Sequence, residues 1–299
     1  MTAKQLPALT RDLDEAKRDM DDFGYALIAD ALEPGQIAAM KARMFEQVLG
    51  EDKVAGGNLD LAAEDACGSL GSILNKGKIW QVLADPAHPA YEVVAHAFAP
   101  SFDPVLASRS GLEQNFIVSS LGVGFKHKEE PNPPLFHTDN AFIPGQVNFP
   151  MILQCFFLLS DFNPGNGSTW LTPGSHRRPR PEWGRLTDDG AWPSEAPAGT
   201  CLIFEGRTWH AAGINTSGDI RINATVTCVA PYIRQRELLP MNITDEVVAQ
   251  LSDAQLKLLG FDTMYQGPAG AFIGFNLIEP TFGRNNVSHK QRAFTELHG

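Results

Sequence analysis

His137 and Asp139 place an imidazole and a carboxylate two residues apart, with Thr138 between them. On an extended segment, side chains two apart leave the same side, so both can reach one metal ion. A third ligand has to come from elsewhere. His210 is the candidate, because it follows the apolar run 200–204 and the turn Glu205-Gly206-Arg207. Two imidazoles and one carboxylate on one face leave three positions open on an octahedral metal. That donor set suits non-haem iron(II), with O2 and a bidentate cosubstrate in the open positions. Spacing alone is weak evidence. With eight histidines in the chain, a His-x-Asp arises by chance about half the time. A solvated polar pair is the alternative for His137 and Asp139, and a structural histidine for His210.

Arg221 adds force. Ten residues separate it from His210, and it opens the strand-like run Arg221-Ile222-Asn223-Ala224-Thr225-Val226. An arginine on an inward-facing strand is costly to bury without an anionic partner. A guanidinium matches a carboxylate through two parallel hydrogen bonds. The distal carboxylate of 2-oxoglutarate would supply that partner. A surface arginine paired with Asp219 or Glu205 is the alternative.

These residues need a sheet to hold them. From about residue 112, short apolar or alternating runs are separated by Gly, Pro and Asn clusters. The runs are 115–121, 151–159, 169–171, 200–204 and 222–230. This pattern predicts an all-β sandwich or barrel rather than alternating strands and helices. Helices are expected on either side. Arg11 to Asp22 is charged and helix-compatible, and 23–28 reads as a short strand. A helix is expected over 36–49, with Ile37, Met40, Met44 and Val48 at helical spacing and Pro34 near its start. Others are expected over 90–98 and 244–259, the last with Thr244 as its N-cap. The whole chain, 1–299, reads as one domain. It has a helical part to about 100, a β core over about 112–235, and a C-terminal helix and lid segment over about 240–299.

Composition limits the function classes. The net charge is -11, and an acidic surface makes nucleic acid and anionic membrane poor partners. The first 22 residues carry mixed charge and no apolar run, unlike a signal peptide or a membrane span. Cys67, Cys155, Cys201 and Cys228 lie far apart without a Cys-x-x-Cys. They read as reduced core thiols, which fits a cytoplasmic protein.

Three motifs carry a resemblance to a known family. The first is Phe136-His137-Thr138-Asp139-Asn140. The second runs from Asp161 through Asn166-Gly167-Ser168-Thr169 to Pro173-Gly174-Ser175-His176. The third is Trp209-His210 followed by Arg221. Together they resemble the phytanoyl-CoA hydroxylase-like branch of the iron(II)- and 2-oxoglutarate-dependent dioxygenases, and Phe23-Gly24-Tyr25 resembles the family's opening. The likeness spans most of residues 20–235. It implies a mainly β fold, a double-stranded β-helix (jelly-roll, cupin-like) core with flanking N- and C-terminal helices. It implies His137, Asp139 and His210 as iron ligands, and Arg221 and Thr169 as 2-oxoglutarate contacts. Asn223, two residues past Arg221, would assist them, and Gln154 is a further candidate within an apolar run. His176 is expected to be structural. In some relatives a glutamine three residues before the first histidine touches the cosubstrate; here that position is Pro134.

The implied activity couples oxidative decarboxylation of 2-oxoglutarate, giving succinate and CO2, to oxidation of a small molecule. Hydroxylation is the default, with a place in secondary metabolism among the options. Halogenating relatives replace the carboxylate ligand by a small residue, so Asp139 disfavours halogenation. Phe136, Asn140, Phe142 and Trp209 flank the ligands and are candidate pocket residues. The loop 126–134 is a candidate lid. Two other readings remain open: a cupin-like metalloenzyme that does not use 2-oxoglutarate, and a non-catalytic binding protein on the same scaffold. The sequence leaves the oligomeric state open, a homodimer among the options.

Overall fold

Period-two alternation builds the centre of the molecule. The computed structural model describes residues 6–57, 60, 67–101, 114–127, 135–142, 147–179 and 190–261. Strand β1 is Leu9–Thr10, β2 is Tyr25–Ile28, β3 is Cys67–Leu70 and β4 is Ile117–Lys126. Strand β5 is Ile152–Leu158, β6 is Thr169–Leu171 and β7 is Trp192–Pro193. Strand β8 is Cys201–Glu205, β9 is His210–Ala212 and β10 is Arg221–Val229. They form a seven-stranded sheet in the order β1-β2-β8-β5-β10-β4-β3 and a three-stranded sheet in the order β7-β6-β9. Among the described residues, only β1 and β2 pair in parallel in the large sheet. The architecture is the mainly β fold of two sheets with helices expected from the sequence. Among the described residues the sheets do not close into a barrel.

The two faces of the large sheet have different chemistry. Leu153, Cys155 and Phe157 of β5, with Ile222, Ala224, Val226 and Cys228 of β10, belong to one apolar core shared with the helices. Gln154 and Phe156, with Arg221, Asn223, Thr225 and Thr227, line a cavity on the other face. Alternate side chains of a strand point to opposite faces, so one run serves both the core and the site. Cys155, Cys201 and Cys228 are buried and free; the Cys67 side chain lies outside the described residues.

The helices cover the apolar face. Helix α1, Leu13–Phe23, starts at Asp12, whose carboxylate accepts from the backbone N–H of Asp14 at 2.9 Å and of Glu15 at 3.3 Å. Helix α2, Pro34–Val54, opens with a capping box between Glu33 and Gln36, which satisfies two end donors at once. It runs five residues past the expected end at Leu49. Gln47 Nε2 donates to Glu51 Oε1 at 2.8 Å and Lys76 Nζ lies 2.6 Å from the same carboxylate, tying down the last turn. Helix α3 is Pro89–Phe98. The single helix expected over 244–259 is not formed. Three short helices stand in this region: α4 (Leu239–Asn242), α5 (Asp245–Val248) and α6 (Asp253–Leu258). Ser252 accepts from Gln255 N at 3.3 Å and starts a new capping box, so its side chain competes with continued helix. Thr244 holds the N-cap position of α5 without a side-chain cap bond.

Gly24 joins this layer to the site. It ends α1 at φ 80°, in the left-handed region, and Thr208 Oγ1 donates to its carbonyl at 3.0 Å. A Cβ there would lie 2.5 Å from His176 Nδ1 and collide with Thr208 Oγ1. Gly24→Ala is therefore expected to destabilise the protein by about 2–4 kcal/mol, combining left-handed strain with overpacking. Denaturant unfolding measures this, and a loss below about 1 kcal/mol would show that the contact relaxes freely.

Candidate metal centre

The three candidate ligands come from two loosely paired segments. His137 and His210 exchange backbone hydrogen bonds, N to O, at 2.9 and 3.0 Å. Asp139 opens a 3-10 turn, Asp139–Phe142. The backbone N–H of Asn140 donates to Gly206 O at 3.3 Å, tying that turn to the end of β8. A Cβ on Gly206 would sit 2.8 Å from Asn140 Oδ1 and 3.0 Å from Ile152 O, so glycine permits this approach.

The donor atoms converge. Asp139 Oδ1 lies 4.0 Å from His137 Nε2 and 3.7 Å from His210 Nε2. All three donors lie within 4.8 Å of one another. Donors each about 2.1 Å from one ion stand roughly 3–4 Å apart, so slight closure completes the site. The ring orientation is also set. His137 Nδ1 faces Leu135 O at 3.1 Å and His210 Nδ1 faces Thr208 O at 2.9 Å. A carbonyl only accepts, so each Nδ1 carries the proton and each Nε2 presents its lone pair. Burial pushes the His210 imidazole below its ordinary pKa, opposed by the Asp139 carboxylate and aided by His137. The neutral ring is the form that ligates.

Six of the remaining expected residues divide between two cavities. The ligands line one of about 490 Å³, together with Gln154, Thr169, Arg221 and Asn223. Thr169 is buried on β6, paired with Ala212 two residues past His210. Arg221 stacks over the Phe162 ring, 5.1 Å from its centroid. Glu205, one alternative partner for Arg221, instead pairs with Arg207, with Nη2 to Oε2 at 2.7 Å. Asn223 Nδ2 donates to Thr225 Oγ1 at 2.9 Å. The Gln154 amide donates to Asp139 Oδ2 at 3.0 Å.

Asn140 and Trp209, candidate pocket residues from the sequence, line a second cavity with Thr138. Asn140 lies in the 3-10 turn that Asp139 opens, and Trp209 directly precedes β9. Phe136 is buried at 7% exposure, and the Phe142 side chain lies outside the described residues. Residues 128–134, including Pro134, and 262–299 also lie outside them, so most of the lid segments does too. Lys126 ends β4 and donates to Gly213 O at 3.0 Å.

His176 is structural in its contacts. Its Nε2 donates to Asp21 O at 3.2 Å. Burial, then Arg177 and Arg207, lower its pKa to about 4. Thr227 was missed by sequence reasoning, although it continues the polar period-two series Arg221, Asn223, Thr225 on β10. Its Oγ1 donates to Gln154 Oε1 at 2.9 Å. Arg236 and Ser69, also missed, line the same cavity. Ser69 sits on an edge strand that had no sequence pattern to announce it.

Two imidazoles and one carboxylate meeting beside a double sheet define a class, the mononuclear facial-triad site. Comparison with known proteins agrees with that. The family model described as phytanoyl-CoA dioxygenase (PhyH) matches residues 20–223. The chain belongs to the phytanoyl-CoA dioxygenase family, whose members and fungal relatives make it an oxygenase-type enzyme. A protein of Mycobacterium tuberculosis named only as uncharacterised is 26% identical over 86% of this chain and 92% of its own length. A dioxygenase of Alternaria alternata is 32% identical over 44% of each chain. Among solved structures, AviO1 of Streptomyces viridochromogenes superposes with a TM-score of 0.54 at 19% identity, over 75% of this chain and 97% of its own. HygX of Streptomyces hygroscopicus, solved with nickel and 2-oxoglutarate bound, does so with 0.53 at 16% identity, over 76% and 90%. These two likenesses concern the fold.

Proposed function

We propose that this protein is an iron(II)- and 2-oxoglutarate-dependent dioxygenase that hydroxylates a small molecule and releases succinate and CO2. The observation that carries the reading is the triad itself: His137 and His210 with their Nε2 lone pairs set by backbone carbonyls, facing Asp139 Oδ1. These residues would hold the metal, which when bound supplies the redox chemistry that activates O2. Arg221 and Thr169 line the same cavity. A guanidinium and a hydroxyl there suit the distal carboxylate of 2-oxoglutarate, which has to be fixed in one orientation. The family membership and the 2-oxoglutarate bound to HygX support this assignment.

The chain's own work is binding and positioning. Phe156 and Phe204 also line the cavity and keep that part of its wall apolar. Asp139 occupies the carboxylate position, which supports transfer of oxygen rather than halogen. The test is succinate formation from 2-oxoglutarate across a panel of small molecules. It is expected to require iron(II) and O2, and to yield a product with one added oxygen atom. Turnover that ignores 2-oxoglutarate would replace this reading with that of a cupin-like enzyme.

A further inference from the structure

We propose that Gln154 and Thr227 form a positioning relay that makes Asp139 bind its metal through one oxygen only. The inference rests on the metal site proposed above and assigns a role to two residues beyond it. Asp139 Oδ1 faces the two imidazoles, at 3.7 and 4.0 Å. Its other oxygen, Oδ2, accepts from Gln154 Nε2 at 3.0 Å. The opposite end of that amide, Oε1, accepts from Thr227 Oγ1 at 2.9 Å.

The direction of each bond is forced. An ionised carboxylate only accepts, so the Gln154 amide nitrogen has to face it. The amide oxygen then faces Thr227, and only the threonine hydroxyl can supply a proton there. Thr227 therefore fixes which way the amide is turned, and the amide fixes Oδ2. The support is rigid. Gln154 and Thr227 are register partners on β5 and β10, near the centre of the large sheet. The register of β10 against β4 shifts between Thr227 and Cys228. Such an irregularity re-aims side chains locally. Gln154 faces the cavity side of β5, among Asn223, Thr225 and Thr227, and the relay gives its amide a role there.

The consequence concerns coordination number. A carboxylate can bind a metal with one oxygen or with two. On a six-coordinate ion, two histidines, one carboxylate oxygen and a bidentate cosubstrate leave one position. A second carboxylate oxygen would take it. Holding Oδ2 in a hydrogen bond keeps it from the metal and leaves that position available.

Cobalt(II) is the probe, read by calorimetric titration and by the ligand-field absorption of the bound ion, with and without 2-oxoglutarate. Wild type is expected to bind one cobalt(II), and His210→Ala to lose it. That pair tests the site on its own. Gln154→Leu and Thr227→Val are each expected to weaken cobalt(II) binding about 10- to 100-fold, the range for partners that orient ligands. Their absorption is expected to change in shape, reporting altered coordination. Thr227→Ser keeps the donor and is expected to restore both values. Thermal unfolding accompanies each titration. If Gln154→Leu and Thr227→Val lower only the melting temperature and leave affinity and absorption unchanged, the relay is a packing feature and the proposal is wrong. If Gln154→Leu does not fold, Thr227→Val against Thr227→Ser decides alone. Unchanged values in wild type, valine and serine variants overturn the relay while leaving the triad standing. Absence of cobalt(II) binding in wild type overturns both.

Discussion

Replacing His210 with alanine is expected to abolish metal binding and, with it, succinate formation. His210 is 6% exposed, with its ring held between Thr208 O at one nitrogen and Asp139 at the other. Its centroid lies 4.3 Å from that of His137 and 4.7 Å from that of Phe204. Removing partners that merely orient a ligand costs about 10- to 100-fold in metal affinity. Losing one of three ligands should exceed that, so affinity is expected to fall by more than about 100-fold. The apo protein should also lose about 1–3 kcal/mol, because a buried ring leaves a cavity. His137→Ala separates the two effects. Its side chain is 39% exposed, so the same loss of metal should come with little loss of stability. Titration with cobalt(II) and thermal unfolding of the metal-free proteins measure both. Stoichiometric, wild-type binding by either variant would remove that histidine from the site.

Arg221→Leu is expected to cost 2-oxoglutarate binding about 30-fold or more, and metal binding nothing. Truncating one partner of a hydrogen-bonded charge pair costs about 2–5 kcal/mol, and each 1.4 kcal/mol is tenfold. Leucine keeps an apolar side chain against Phe162, whose ring now lies 5.1 Å from the guanidinium. Arg221→Lys retains the charge but cannot offer two parallel donors, so it should fall between the two. The readout is 2-oxoglutarate titration of the metal-loaded protein by calorimetry. Unaltered affinity in Arg221→Leu would assign the guanidinium to something other than the cosubstrate.

Much of the site is legible along the chain because strand geometry is local. His137 and Asp139 stand two residues apart in one short motif, and the alternation of β5 and β10 follows from their residue order. Asn140 and Trp209 neighbour ligands in sequence and line the second cavity. The boundary at Ser252 was missed. Helical spacing continues through it, while the end is set by a side chain that caps its own backbone. Strand β3 is short and carries Gly68 and Ser69, so nothing in its composition announces pairing with β4.

Asp139 and its two histidines were thus named by residue type, spacing and family motif. Their roles as an assembled set depended on distance. His137 and His210 are far apart in sequence and meet only because their backbones exchange hydrogen bonds. Local order can say which side of a strand a residue faces. It cannot say which strand lies opposite, because pairing is decided by burying the apolar face of the whole sheet. That is why the chain order alone marked Gln154 as a polar residue out of place, and only the folded sheet set it between Thr227 and Asp139.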